Sequence, residues 1–201
     1  MPQIVYILTN PSMPGLIKIG RTDRDLQSRV KELNSQTGVP LPFEVHYACE
    51  VVDSIATEKA LHSGFADERI NPKREFFRKN PERVVAILKH FAIKQEMIDE
   101  SATVETEEEI RALNKELNKR RESFNFSLVD IPVGSEIKFI RDESVTAIVV
   151  DDKKINFNGE ITSLSSSAQT LLGSSYPIQG TIYWTFEGDT LDERRTRLSG
   201  N

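Results

Sequence analysis

The 201-residue chain reads as an α+β protein, and three observations carry that reading. Residues 4–9 (IVYILT) and 16–20 (LIKIG) are short β-branched runs separated by the turn-forming NPSMPG at 10–15, a hairpin pattern. Apolar stripes at helical spacing then alternate with a further strand pattern. Beyond a polar stretch, the sequence returns to short strand patterns from residue 123 onward. The expected organisation is a first domain at 1–98, with a small three-stranded antiparallel sheet flanked by helices. A polar linker and helix follow at 99–122, and a small β-rich α+β domain fills 123–201.

Strand side chains alternate between faces, so Ile4, Tyr6 and Leu8 share one face, and Leu16, Lys18 and Gly20 share one on the partner. That parity allows Tyr6 to sit across from Lys18. Thr22 or Asp23 is the expected N-cap of the first helix, and Gly38-Val39-Pro40 its stop. Leu26, Val30 and Leu33 form its inward stripe, with Arg29 inside it. Residues 43–51 (FEVHYACEV) alternate as a third strand, placing His46 on the polar, solvated face.

Asp53 or Ser54 caps the next helix, residues 55–65. Its stripe includes Glu58 and His62 at i and i+4, which makes them neighbours. A carboxylate on a buried stripe needs a partner. Either a structural salt bridge to Arg29 or Lys18 or a bound metal ion meets that need. Residues 66–80 form a polar loop whose Phe76 and Phe77 anchor it. Asn80 as N-cap and Pro81 at N1 then open a helix expected to run to about residue 96.

Ser, Thr and Glu dominate 101–109, and a helix at 107–122 carries the narrow seam Ile110, Leu113, Leu117, suited to packing on a domain or to weak homodimerisation. In the last segment, residues 124–128, 136–140, 145–150, 154–157 and 181–186 read as strands and 163–173 as a small helix.

Composition bounds the function. No apolar run approaches a membrane span and no signal-peptide pattern opens the chain. The single cysteine, Cys49, excludes an internal disulfide and fits a reducing cytoplasm. The net charge of −5 argues against tight, sequence-independent nucleic-acid binding. It is unevenly spread: residues 1–98 carry 14 Lys/Arg against 12 Asp/Glu, and 123–201 carry 7 against 11.

The IVY motif (4–6), the KIG motif (18–20) and Arg29 on the next helix together resemble the GIY-YIG nuclease superfamily. Lys18 stands where the second tyrosine would, as in the phage- and restriction-type subgroup. The resemblance continues through Glu58-x-x-x-His62 and Arg74-Glu75-Phe76-Phe77, over residues 3–95. It implies a metal-dependent DNA endonuclease, in restriction, phage biology or mobile-element defence, with one Mg²⁺ or Mn²⁺ per active site held by Glu58. Tyr6 would act as general base toward water. A free phenol ionises at about 10, too high for that role, and Lys18 is expected to favour the phenolate. Arg29 would take the scissile phosphate as a planar, permanently charged fork. His62 would orient a water or protonate the leaving oxygen. Arg21, Lys73, Arg74 and Arg78 are the expected substrate contacts. Gly20, Glu75 and Asn71 are supporting residues, Asn71 being the nearest match to the superfamily's asparagine.

Gly134-Ser135, the run 156–173 (NFNGEITSLSSSAQTLLG), GTIYW (180–184) and Gly188 look like the small RAMA-type domains of restriction-associated proteins, thought to touch DNA. Contacts would come from Lys138, Arg141, Lys153, Lys154 or Arg194, Arg195 and Arg197, with Tyr183 or Trp184 stacking on a base. Trp184 as a plain core residue is the competing reading. Double-stranded DNA is thus the expected partner. A non-catalytic DNA-binding protein on the same fold and an RNA nuclease are the alternatives.

Overall fold

The computed structural model describes residues 2–35, 38–96, 111–112, 115, 124–174 and 178–198. The chain divides into two compact units, Met1–Leu113 and Asn114–Asn201, and is α+β, with an antiparallel sheet in each unit. No described helix is long and apolar enough to cross a membrane. The helix expected at 107–122, with its Ile110–Leu113–Leu117 seam, lies outside the described residues apart from Arg111, Ala112 and Lys115.

The first unit is built from β1 (Ile4–Thr9), β2 (Leu16–Thr22), α1 (Leu26–Asn34), β3 (Glu44–Val51), α2 (Ser54–Gly64), β4 (Phe76–Arg78), α3 (Pro81–Leu88) and β5 (Ala92–Gln95). Strand order is β4-β2-β1-β3-β5, so the three expected strands form the centre and two short strands cover the edges. Central β1 buries both faces, which is why its sequence is an unbroken apolar run. Ile4, Tyr6 and Leu8 pack with Leu26, Val30 and Leu33 of α1. Val5 and Ile7 pack on the opposite side with Ile17, Ile19, Leu61 of α2 and Val84, Val85 and Leu88 of α3.

Three local expectations are corrected here. Tyr6 lies opposite Gly20, and Lys18 lies opposite Leu8, so lysine and tyrosine share a face but sit diagonally. The α1 N-cap is Asp25, which accepts from the Ser28 amide at 2.8 Å. The third correction concerns β3. The β1–β3 register jumps from Ile7↔Tyr47 to Leu8↔Val45, a bulge at His46. Phe43 and Val45 therefore pack on the α1 side, and Tyr47, Cys49 and Val51 on the other. The His46 side chain is turned inward, 5% exposed, with its Nε2 2.6 Å from the Glu82 carboxylate at the start of α3.

The helix expected over 81–96 ends at Leu88. Phe91 is half exposed, so the apolar stripe has no seat beyond Leu88. The backbone instead turns and pairs as β5 with β3, satisfying the sheet edge.

The second unit contains β6 (Glu136–Phe139), β7 (Asp142–Val149), β8 (Lys154–Phe157), β9 (Glu160–Ser163), α4 (Leu164–Leu172), β10 (Trp184–Phe186), β11 (Asp189–Thr190) and α5 (Leu191–Leu198). The sheet order is β11-β10-β6-β7-β8-β9. Residues 124–128, expected as a strand, instead lead into a 3-10 turn at Ser127–Val129. The strand expected at 181–186 begins only at Trp184, after a 3-10 turn at Gly180–Ile182. Strands β9 and β11 and helix α5 were not anticipated; their short polar sequences carry little periodicity. The core gathers Phe124, Phe126, Ile137, Phe139, Ile155, Tyr183, Trp184 and Leu191.

Candidate active site

The site is assembled where β2 outruns its neighbour. Strand β4 pairs only with Leu16, Ile17 and Lys18, and the Glu75 carbonyl then accepts from the Ile19 amide at 3.2 Å. Beyond Ile19, β2 has no β4 partner on that edge. Tyr6, on the paired strand, lays its ring across Gly20. A Cβ there would stand 2.7 Å from the phenolic oxygen and 2.8 Å from two ring carbons. The glycine is thus needed for close approach rather than for an unusual backbone angle.

Tyr6 is 1% exposed and feels Arg29, which reaches over from α1 and pairs with Glu32 at 3.1 Å. Burial pushes the phenol above its ordinary value, opposed by Arg29; Glu75 and Glu58 add to the rise. The expectation that Lys18 favours the phenolate therefore fails in this arrangement. Lys18 is 8% exposed and is committed to an ion pair with Glu75, with its ammonium 5.8 Å from the Phe76 ring centroid. A cation so nearly buried requires such a partner. Register explains the choice: Lys18 lies opposite Phe76, immediately after Glu75, whereas Tyr6 is two positions away.

From the other face of the sheet, α2 brings Glu58 and His62. Asp53 caps this helix through the Ala56 amide at 2.9 Å, and Gln3 Oε1 accepts from the Ser54 amide at 3.1 Å, tying the helix start to β1. Glu58 does not pair with Arg29 or Lys18. Its nearest cation is Arg21, Nε to Oε2 at 3.6 Å. Burial, then Glu75, raise the Glu58 carboxyl above the ordinary range, opposed by His62, Arg21 and Lys18. His62 donates from Nε2 to the Ile19 carbonyl at 3.0 Å and packs on Phe77 at 5.0 Å. Its Nδ1 is the nitrogen left for chemistry.

Tyr6, Lys18, Gly20, Arg21, Arg29, Glu58, His62 and Glu75 thus meet around one stretch of β2. Lys73, Arg74 and Arg78 lie outside this cluster, exposed on the loop and strand that follow α2. Asn71 stays apart too: its side chain accepts from the Lys73 amide at 2.8 Å and shapes that exposed loop. The coupling that sequence reasoning missed is Lys18 to Glu75, and its signal was available. A lysine among apolar strand residues demands a carboxylate, and Glu75 directly precedes the Phe-Phe anchor.

For a metal ion, the donor chemistry is selective. Among the described residues, no group of three His, Cys, Asp or Glu side chains is gathered to hold one. Glu58, with Glu75 raising its carboxyl from nearby, fits a hard divalent cation that keeps its waters and takes one or two carboxylates, as Mg²⁺ does. It does not fit a closed nitrogen–sulfur site.

The second unit disposes of its aromatics and arginines differently. Trp184 is 0% exposed and donates from Nε1 to the Leu164 carbonyl at 3.3 Å. Tyr183 is buried against Phe139. Neither ring is available to stack on a base. Arg194 donates to the Val129 carbonyl at 2.6 Å and to Glu187 at 3.1 Å. Arg195 pairs with Asp192, and Arg197 with Asp189. Lys138 and Lys154 stay exposed on alternate positions of β6 and β8.

No curated protein and no solved structure matches the chain. Residues 3–92, which hold every residue of the site, match the family model of the T5orf172 domain.

Proposed function

We propose that the first unit is a divalent-metal-dependent phosphodiesterase of the GIY-YIG type acting on DNA. The observation that carries the reading is the buried Tyr6 ring laid across Gly20, with Arg29, Glu75 and Glu58 close enough to bias its phenol. The T5orf172 match over 3–92 supports a nuclease or DNA-binding role. Phosphodiester hydrolysis needs an activated water and cations aimed at charge on the non-bridging and leaving oxygens. Arg29, which opposes the rise that burial imposes on the phenol, binds the scissile phosphate, and Tyr6 acts as the phenolate: its own proton passes to solvent, and its oxygen then takes the proton of the attacking water. Lys18, fixed by Glu75 and Phe76, adds positive charge on the same face. Glu58 holds the Mg²⁺ or Mn²⁺, with Glu75 beside it, and when bound that ion supplies Lewis-acid stabilisation of the phosphate. His62, anchored through Nε2, presents the Nδ1 lone pair to a water, which in turn gives a proton to the leaving oxygen. Lys73, Arg74 and Arg78 contact flanking phosphates, and Lys138 and Lys154 offer the second unit its own weak contacts.

A second reading, DNA binding without cleavage, draws on the raised Tyr6 phenol and on its cover by Arg29. One assay separates the two. Supercoiled plasmid, single-stranded DNA and RNA are incubated with the protein in Mg²⁺ or Mn²⁺, beside a Glu58→Gln control. The proposal requires nicked or linear plasmid with the wild type alone. Intact substrate in both metals, with DNA retarded in a gel, establishes the binding reading.

A further inference from the structure

Three groups of the site stand beside a cation belonging to the chain itself: Tyr6 beside Arg29, Glu75 beside Lys18 and Glu58 beside Arg21. The third pairing differs from the second in kind. Lys18 is nearly buried and pinned on two sides. Arg21 has a side chain 34% exposed, and its approach to Glu58, which is 18% exposed, is a single contact from Nε at 3.6 Å. That is an ion pair beyond ordinary hydrogen-bond length. A partly exposed pair of this kind contributes little to stability, so it parts at low cost. Arg21 also stands past the end of β4 pairing, on the stretch of β2 with no β4 partner along that edge.

We propose that Arg21 is a phosphate-released lock on the metal carboxylate. Paired with Glu58, its guanidinium occupies the position from which a divalent cation must be bound and repels that cation. A phosphodiester anion entering beside Arg29 offers Arg21 two oxygens in the planar geometry it prefers. Arg21 transfers to the phosphate, and Glu58, which feels the Glu75 charge, is left as an anion open to the cation. Nucleic acid and metal therefore bind with positive coupling, and the metal is held weakly until substrate arrives. The inference rests on Glu58 being the metal ligand.

The test reads Mn²⁺ affinity of the full chain without nucleic acid, from free Mn²⁺ by electron paramagnetic resonance, with melting temperature as the folding control. Arg21→Gln is expected to bind Mn²⁺ roughly tenfold more tightly than the wild type, within the usual range of coupling between sites. Arg21→Lys keeps the charge and should stay near wild-type affinity. In a Tyr6→Phe background that suppresses hydrolysis, an added 20-base-pair duplex should tighten Mn²⁺ binding when Arg21 is present and leave Arg21→Gln unmoved. Equal or weaker Mn²⁺ binding by Arg21→Gln, with Glu58→Gln binding lost, overturns the lock while leaving Glu58 as ligand. Mn²⁺ binding unchanged in Glu58→Gln overturns the metal assignment itself.

Discussion

Each unit of this chain places a tyrosine next to an arginine and has a glycine over which another group passes closely. In the first, Tyr6 contacts Arg29 and its ring crosses Gly20. In the second, the Arg141 guanidinium sits 5.5 Å from the centroid of the Tyr183 ring, and a Cβ on Gly180 would come within 2.3 Å of the Leu164 backbone. The surroundings separate them. Around Tyr6 stand two carboxylates and a nearly buried lysine, whereas Tyr183 is surrounded by Phe139 and the rest of an aromatic core. Polar atoms of the second unit are turned on its own backbone: Trp184 on Leu164, Arg194 on Val129. The same residue types thus make a charged, breakable cluster in one unit and a cross-linked core in the other. Residue type alone does not announce a site; opposed charges that could be satisfied in more than one way do.

The comparison is broken most forcefully at Trp184. Trp184→Ala removes the largest buried side chain of the second unit and should cost about 3–5 kcal/mol, seen as a low-temperature unfolding step in calorimetry. The two glycines come next. Gly180→Ala drives a methyl into backbone that cannot yield and should lower stability by more than Gly20→Ala, where the Tyr6 ring is the obstacle. For Gly20→Ala, overpacking of about 1–3 kcal/mol is expected, together with loss of cleavage because the phenol is displaced. A Gly20→Ala protein that cuts at the wild-type rate would separate Tyr6 from the chemistry.

The smallest effect is the most diagnostic of electrostatics. The Glu58 carboxyl is raised in the folded chain, so the folded state holds that proton more tightly than the unfolded state. Stability is therefore fully present below the unfolded value of about 4.5 and is lost as pH rises through the raised folded value. Glu58→Gln has no such loss. Its metal-free melting temperature should exceed that of the wild type at pH 7, and the difference should shrink toward pH 4. A lower melting temperature at pH 7 would mean that Arg21–Glu58 is a net stabilising bridge.

Much of the first unit was legible in sequence because its signals are local. The β1 and β2 runs, the α1 stripe and the Asn80-Pro81 helix start all lie where their patterns put them. What escaped depends on register and bulges, which no periodicity encodes. A one-residue bulge turned His46 inward onto Glu82, and a two-residue offset gave Lys18 to Glu75 instead of Tyr6. In the second unit the short polar strands β9 and β11 form because neighbours offer backbone partners, a condition invisible along the chain. Trp184, open to two readings in sequence, is settled as core by its full burial.

The central claim is that Arg29 acts on substrate while its counterpart Arg141 serves packing. It is tested by making the same change in both units and measuring single-turnover plasmid cleavage in Mn²⁺. Arg29→Ala should slow cleavage by about 10²–10³, the usual consequence of removing one preorganised charge stabiliser, with little change in melting temperature. Arg141→Ala should leave the cleavage rate unchanged and lower stability by about 0.5–1 kcal/mol, as for an exposed cation–π contact. Cleavage by Arg29→Ala at the wild-type rate would contradict the account.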